Sequence, residues 1–404
     1  MRILYIVEDR FPPFRADVVE LFAKQIPMLG HQIHWLMQRG KDASNTVSPV
    51  NWLGNTVYLL PRSNRENLVG RIFNNLLSML GDFMILPLAV RGRYDVIQVR
   101  DKFFTCLIAW FAARLTGARF IYWMSYPFAE SKLYDAENRL VPYHQLVWLK
   151  GKLIGFLLYK FILPVADHIF VQSERMKDDV AQKGISRDKM TPVPMGIRTD
   201  QVVVGTSAIA PNRDAPVLLY LGTLIKLRQL QILVRVLQHV RLRYPRATLL
   251  YVGDGEVPSD RQVIEDEASQ LGLSEAVTVT GFMPMEKAWE LVKQADICFS
   301  PFYPISILLS TSPTKLIEYM AMAKCIVANE HPEQCQVMEE SGIGQCVPWS
   351  EEAFAEAVCI LLDDPEYARK LAAKGPEWVR THRTYDVIAR IVDAKYQEIA
   401  RDRN

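Results

Sequence analysis

The residues Ser310 to Asn329 constrain this chain more than any other stretch. A polar loop of Ser310, Thr311 and Ser312 ends in Pro313, a residue favoured in the first turn of a helix. Leu316, Ile317, Met320 and Ala323 then recur at helical spacing, which predicts a short helix. Cys325 to Ala328 is a short apolar run of strand length. A loop, a helix N-terminus and a following buried strand form half of a nucleotide-binding α/β unit. The exposed N–H groups and positive dipole end of such a helix suit a phosphate. Glu318 falls in the second turn, where a carboxylate can accept hydrogen bonds from a ribose diol. On the residue alone, a solvated helix-surface carboxylate is the competing reading.

The order Ser312-Pro313-Thr314-Lys315-Leu316-Ile317-Glu318-Tyr319-Met320-Ala321 resembles the donor-site signature of glycosyltransferase family 4, retaining enzymes of the GT-B fold. The resemblance implies a nucleotide-sugar site that includes Thr311, Ser312, Pro313, Thr314, Lys315 and Leu316, with Glu318 in a catalytic role. Members often carry a second Glu eight residues earlier, in contact with the donor sugar's hydroxyls. Ser310 stands at that place here and is the candidate for it.

Other stretches extend the resemblance. Pro216 to Leu221 reads as a strand, followed by Gly222-Thr223-Leu224-Ile225-Lys226-Leu227-Arg228 and a helix running to Arg243. A Gly after a strand lets the backbone approach a phosphate, and two nearby cations can neutralise it. Relatives commonly read Gly-Arg-Leu-x-x-x-Lys-Gly there, which makes Arg228 the counterpart of the Lys, Thr223 that of the Arg, and Lys226 a second cation. A solvated basic turn is the bland alternative. Gly253-Asp254-Gly255 matches the family's "Gly-x-Gly" after the next strand. Gly281 and Phe282 fall where relatives bind the base through backbone groups.

In the first half, residues 2–7 read as a strand and Glu8 to Ala16 as a loop, with Asp17 capping a helix through Leu29. Many members have a Gly-Gly pair in this loop, where Arg15-Ala16 stands. Tyr94 to Arg100 and Arg119 to Trp123 read as strands, and Phe103 to Leu115 as an apolar helix. Ligands of such sheets sit beyond the strands' carboxyl ends. Ser125 and Tyr126 occupy the place where many relatives carry a His, so Arg15, Asp17, Ser125 and Tyr126 are the acceptor-side candidates; a plain turn is the other reading of Ser125. Tyr143 to Pro164, with Trp148, Lys150, Lys152 and Lys160, reads as a buried helix, with an interfacial one as the alternative. Ser173 and Ser350 read as helix caps. Thr191 to Arg198 is a breaker-rich linker.

The expected architecture is therefore α/β: two doubly wound Rossmann-like domains facing across a cleft, 1–195 on the acceptor side and 196–384 on the donor side, with a helix at 385–404 crossing back to the first. Half of the 404 residues are hydrophobic, ordinary for two sizeable cores. Residues 1–196 hold 25 Lys and Arg against 17 Asp and Glu. That excess suits an anionic partner, such as a lipid diphosphate or an anionic membrane face, though ordinary scatter accounts for it equally well. No apolar run is long enough to span a bilayer and no export signal is visible, so a cytoplasmic protein, at the inner face of the membrane, is expected. The six cysteines are scattered singly, as reduced thiols are. No Asp-x-Asp pair is present, so no metal and no cofactor are expected. The function implied is retaining transfer from a UDP- or GDP-sugar to a lipid-linked or growing glycan, with no nucleic-acid partner. A non-catalytic nucleotide-sugar-binding relative and a nucleotide-sugar epimerase on the same fold are the alternatives.

Overall fold

The computed structural model describes residues 1–40, 48–62, 68–203 and 208–401. The chain divides into two units, one of Met1–Pro194 with Tyr385–Asn404, the other of Met195–Thr384.

The first unit is built on eight strands: β1 Arg2–Phe11, β2 Gln32–Arg39, β3 Val50–Trp52, β4 Asn55–Leu60, β5 Val96–Arg100, β6 Arg119–Met124, β7 His168–Val171 and β8 Met190–Pro192. Their order is β3-β4-β2-β1-β5-β6-β7-β8. All pairings are parallel except the β3–β4 hairpin. Strands buried on both faces read as continuous apolar runs, and β1 shows why. Leu4 and Ile6 join one core with Ile97, Val99, Phe120 and Tyr122. Ile3, Tyr5 and Val7 join the opposite core with Trp35, Trp123 and Phe170. The last helix, Tyr385–Arg401, seals that second core through Tyr385, Ile388, Val392 and Tyr396. The Tyr396 hydroxyl donates to Oε1 of Gln98 at 2.6 Å.

The second unit carries five parallel strands: β9 Val217–Leu221, β10 Thr248–Val252, β11 Val277–Val279, β12 Ile297–Ser300 and β13 Cys325–Ala328, in the order β11-β10-β9-β12-β13. Helices Ile232–Arg241 and Glu351–Asp363 cover one face, and helix Thr314–Ala321 covers the other.

Several local expectations change. Asp17 does not cap: its carboxylate accepts from Arg100 Nη2 at 2.8 Å, and the helix it begins, Asp17–Gln25, has no side-chain cap. That helix is wound with π geometry and passes into Ile26–Met28, one residue short of Leu29. The stretch read as a linker from Thr191 starts inside β8, which pairs with β7. After β9 the chain makes a single 3-10 turn, Lys226–Arg228, and the next helix starts only at Ile232 and ends at Arg241. Gln229 takes a left-handed conformation between them, φ 51°, which breaks the helical path. Helix Thr314–Ala321 stops before Ala323, which is itself left-handed at φ 52°. Ser173 and Ser350 do cap, accepting from the amides of Met176 and Ala353.

The larger correction concerns Tyr143 to Pro164. Its helix, His144–Leu157, buries only Gly151 and Ile154 and turns Leu146, Leu149, Leu153 and Phe156 outward. The sequence pattern is apolar all round, and nothing in a single sequence says which side lacks a protein neighbour.

Candidate nucleotide-sugar site

The end of β9 and the helix Thr314–Ala321 meet at Gly222. A Cβ added to this glycine would lie 2.2 Å from Cε of Lys315 and 2.7 Å from its Nζ, and the backbone sits at φ +142°. Only Gly lets the lysine cross the strand end at this height. Gly253 is required for the same kind of reason: its Cβ would come within 2.2 Å of the Gly222 carbonyl oxygen. The Gly222 amide donates to Val252 O and the Leu224 amide to Asp254 O, so the two loops are tied together. Gly253 also bridges to Gly281, and the Gly253 amide donates to the Thr280 hydroxyl at 3.3 Å. Phe282, next in chain, is 73% exposed. Gly255 packs on Asp260, whose carboxylate accepts from the amides of Lys226, Glu256 and Val257 and so holds the loop.

Charge gathers at this place. Arg228 Nη1 donates to the Tyr220 hydroxyl at 3.2 Å, while its Nε is buried with no partner among the described residues. Lys315 Nζ stands 5.7 Å from the centre of the Tyr220 ring. Tyr220 Oη in turn donates to the carbonyl of Thr223 at 3.3 Å. Lys226 points to solvent. Burial pushes the Glu318 carboxyl up to about 7, against the pull of the Lys315 ammonium. Burial, aided by the Arg228 charge, brings Lys315 down to about 7, with Glu318 opposing. Shifts of this kind cluster at functional sites, and buried structural groups such as Glu333 show them too. Tyr220 carries no sequence signal of its own, since it reads as one more apolar residue of β9.

The loop before the helix is held by its own hydroxyls. Ser310 Oγ donates to Ser306 O, Thr311 Oγ1 to Leu308 O, and Ser312 Oγ to Glu333 Oε1 at 2.8 Å while accepting from the Met195 amide. Ser310 is buried, with its hydroxyl so engaged, and it does not present a carboxylate-like acceptor. Ser312 serves a buried network in which Arg383 Nη1 also donates to Glu333 at 2.6 Å. Pro313 precedes the first helical residue, Thr314, whose amide donates to Ser312 O. The amides of Lys315 and Leu316 make no hydrogen bond among the described residues, which leaves two donors at the helix start. The Leu316 side chain is fully buried in the core, so this residue can offer a ligand only its backbone.

The acceptor-side candidates lie in the first unit, at the ends of β1, β5 and β6. A cavity of about 310 Å³ is lined by Glu8, Asp9, Arg10, Arg15, Arg100 and Asp101, with Pro12, Phe14 and Phe128. Arg100 is its hub, donating to Asp9 at 3.2 Å and to Asp17 at 2.8 Å. Arg15 pairs with the other oxygen of Asp9 at 3.0 Å. Asp101, left-handed at φ 54°, accepts from the Ser125 amide at 3.1 Å and from its hydroxyl at 2.5 Å. Burial pushes the Asp101 carboxyl up to about 6, with Arg100 opposing. Asp17 and Ser125 thus support the cavity wall without forming it, and Tyr126 packs edge-on to Phe128 with centroids 5.1 Å apart. Asp9 and Asp101 went unread in the sequence; a carboxylate just beyond a parallel strand's carboxyl end was the available signal for Asp101, whereas Asp9 lies inside β1 near its end.

Among the described residues, the ligand atoms of His239, Glu351 and Glu352 come close enough for one ion. Glu351 is already paired with Arg235 at 2.5 Å, and none of the three belongs to the loops above.

Two family models match this chain. One, described as "Glycosyl transferase 4-like domain", covers residues 16–196, and the other, "Glycosyl transferases group 1", covers residues 215–364. A GDP-mannose-dependent alpha-(1-6)-phosphatidylinositol monomannoside mannosyltransferase of Mycolicibacterium smegmatis is 26% identical over 196 residues, 46% of this chain and 50% of that protein. The chain spans about half the length of the curated relatives it matches. Among solved structures, sucrose-phosphate synthase from Thermosynechococcus elongatus superposes with a TM-score of 0.71 at 16% identity over 99% of both chains. HepE of Anabaena, solved with UDP and glucose, gives 0.68 at 14% identity, over 98% of this chain and 100% of that one. The likeness to these structures is one of fold, a pair of parallel-sheet α/β domains of the GT-B type.

Proposed function

This chain belongs to glycosyltransferase family 4, and from that premise we propose that it moves a sugar from a nucleotide-sugar donor to an acceptor hydroxyl, retaining the anomeric configuration and using no metal ion. The observation that carries the reading is the meeting of Arg228, Lys315 and Glu318 around the Gly222 loop. Two cations and the free amides of Lys315 and Leu316 offset a diphosphate, and the Glu318 carboxylate accepts from the ribose diol. Gly281 and Phe282 offer the base backbone groups and an exposed ring.

As the bond between the anomeric carbon and the diphosphate oxygen breaks, negative charge grows on the diphosphate, where Arg228 and Lys315 hold it. The acceptor oxygen forms the new bond on the same face, and its proton passes to the departing phosphate oxygen. This route asks for no separate protein base. Lys226, exposed and one turn away, adds charge that water and salt screen. Ser310 keeps its place in the loop and leaves the donor sugar to backbone groups. In the first unit, Asp9, Arg15 and Asp101 offer hydrogen bonds to a polyhydroxylated acceptor, a lipid-linked or growing glycan, with Asp17, Ser125 and Tyr126 behind them.

The test is to incubate the purified protein with UDP- and GDP-sugars, an acceptor glycan and excess chelator, and to follow nucleoside diphosphate release and the anomeric proton by NMR. Release with retained configuration is expected. Donor binding without turnover, or conversion of the donor to its epimer, would overturn the reading in favour of a binding subunit or an epimerase.

A further inference from the structure

The sheet of the first unit is covered on one side by helices whose outer faces no part of the described chain covers. In helix Phe103–Thr116 the fully buried apolar residues are small, Cys106, Ala109, Ala112 and Ala113, with Phe103, Ile108 and Trp110 partly buried against the same core. Phe104, Leu107, Phe111 and Leu115 face outward at helical spacing and are 40–61% exposed. Helix His144–Leu157 repeats this with Leu146, Leu149, Leu153 and Phe156, at 47–67%. Helix Leu68–Asp82, which packs on Phe103–Thr116, turns out Phe73, Leu76 and Leu80 at the same spacing. The 103–116 helix also packs on Leu158–Ile162, the continuation of the 144–157 helix, so the three stripes belong to one side of the unit. An ordinary surface helix points its large apolar residues inward; here each helix also carries a stripe of them that points out. Scattered exposed leucines need no explanation, but three aligned stripes on neighbouring helices do.

We propose that this face is a docking surface for an anionic lipid bilayer. Charge selects that occupant. The stretches Phe103–Thr116 and His144–Ile162 carry Arg114, Lys150, Lys152 and Lys160, all exposed, and not one Asp or Glu. Lys152 lies 5.1 Å from the centre of the Trp148 ring, so an ammonium and an amphipathic aromatic share one place, as suits a headgroup layer. The apolar stripes then enter the boundary between headgroups and acyl chains while the cations stay with the phosphates. No described helix is long and apolar enough to cross a membrane, so the contact is with one leaflet. This inference is independent of the transfer reading, because none of these residues belongs to the donor loops or the acceptor-side cavity.

The test is flotation of the full chain with vesicles of phosphatidylcholine alone or mixed with phosphatidylglycerol, across salt concentrations. Binding to the mixed vesicles, weakened by salt, is expected to exceed binding to neutral ones by about tenfold or more. The double variant Leu107→Gln, Leu149→Gln should lower binding to the mixed vesicles by about tenfold. Lys150→Gln with Lys152→Gln should lower it by about tenfold and flatten the salt dependence. Both pairs are exposed, so melting curves should match the wild type. Should a variant fail to fold, quenching of wild-type tryptophan fluorescence by brominated lipid gives the same answer without substitution. Absence of flotation with anionic vesicles, undiminished flotation of the leucine variant, no quenching, or light scattering showing a dimer that the leucine variant splits would each overturn the proposal.

Discussion

At Gly222 the question is what the absence of a side chain permits, and the answer is the passage of Lys315 over the strand end. That passage places an ammonium beside the Tyr220 ring and within reach of the Glu318 and Arg228 charges. Arg228 and Lys226 are then unequal. Arg228 is half-buried and held by Tyr220, whereas Lys226 is exposed on the turn. Arg228→Ala should lower turnover by about 2–4 kcal/mol of transition-state stabilisation, and Lys226→Ala by clearly less, in steady-state kinetics with a matched donor. A more damaged Lys226 variant would move the diphosphate elsewhere. The pH dependence of donor affinity follows from the same cluster. Lys315 loses its proton near pH 7 in the free protein, and an anionic diphosphate favours the charged form, so the donor-bound lysine titrates higher. Affinity therefore falls as pH rises above about 7 through the bound-state value. Glu318 acts with the opposite sign, since below about 7 it is protonated and accepts less strongly. Calorimetry should show a maximum near neutrality, and Lys315→Met should lose the alkaline limb and move the acid limb to higher pH, because the ammonium that opposes protonation of Glu318 is gone. A Lys315→Met protein that kept the alkaline limb would assign it to another group.

At the scale of elements, the hydroxyls of Ser310, Thr311 and Ser312 tie the loop 310–313 to its surroundings. Ser312 ties Glu333 and the Met195 amide together, and Glu333 also holds Arg383. Ser312→Ala leaves a buried carboxylate oxygen short of one donor and a backbone amide short of its acceptor. It should lower stability by about 1–3 kcal/mol, read from the urea midpoint of the second unit. A midpoint equal to the wild type's would show the hydroxyl to be dispensable. The strands that frame this loop were legible because buried parallel strands are unbroken apolar runs between breakers, as β9, β12 and β13 are. The motif residues Gly222, Lys315 and Glu318 were legible because one short element carries the last two and a strand end carries the first. The hairpin of β3 and β4 was not read, since Asn51, Gly54 and Asn55 interrupt its pattern. The Arg100 cluster was hidden for another reason: its carboxylates arrive from β1, from the start of the helix Asp17–Gln25 and from the residue after β5, Asp17 being 83 residues away in sequence.

For the whole molecule, the last helix matters because it finishes the first unit from the far end of the chain. Tyr396 reaches Gln98 in β5, and His31 Nε2 lies 2.7 Å from Asp393. Tyr396→Phe removes the hydroxyl from a fully buried pair and should cost the first unit about 1–3 kcal/mol while leaving donor affinity unchanged. Loss of donor affinity in this variant would mean that the donor loops depend on the tail. The tail's helical period was plain in the sequence; its placement in the first core comes from Tyr385, Ile388, Val392 and Tyr396 sharing one face. The outward stripes of the helices on the other side of that sheet were not legible, because an apolar period does not state which neighbour covers it. The proposed function rests on the second unit holding a nucleotide sugar through Arg228, Lys315 and Glu318. Calorimetric titration of UDP- and GDP-sugars into the protein in excess chelator tests it most directly, with Glu318→Gln alongside. Binding of one donor series without metal is expected, weakened in Glu318→Gln by about 1–3 kcal/mol through loss of a charge-assisted acceptor. Binding that appears only when a divalent ion is restored, or an unchanged dissociation constant in Glu318→Gln, would contradict it.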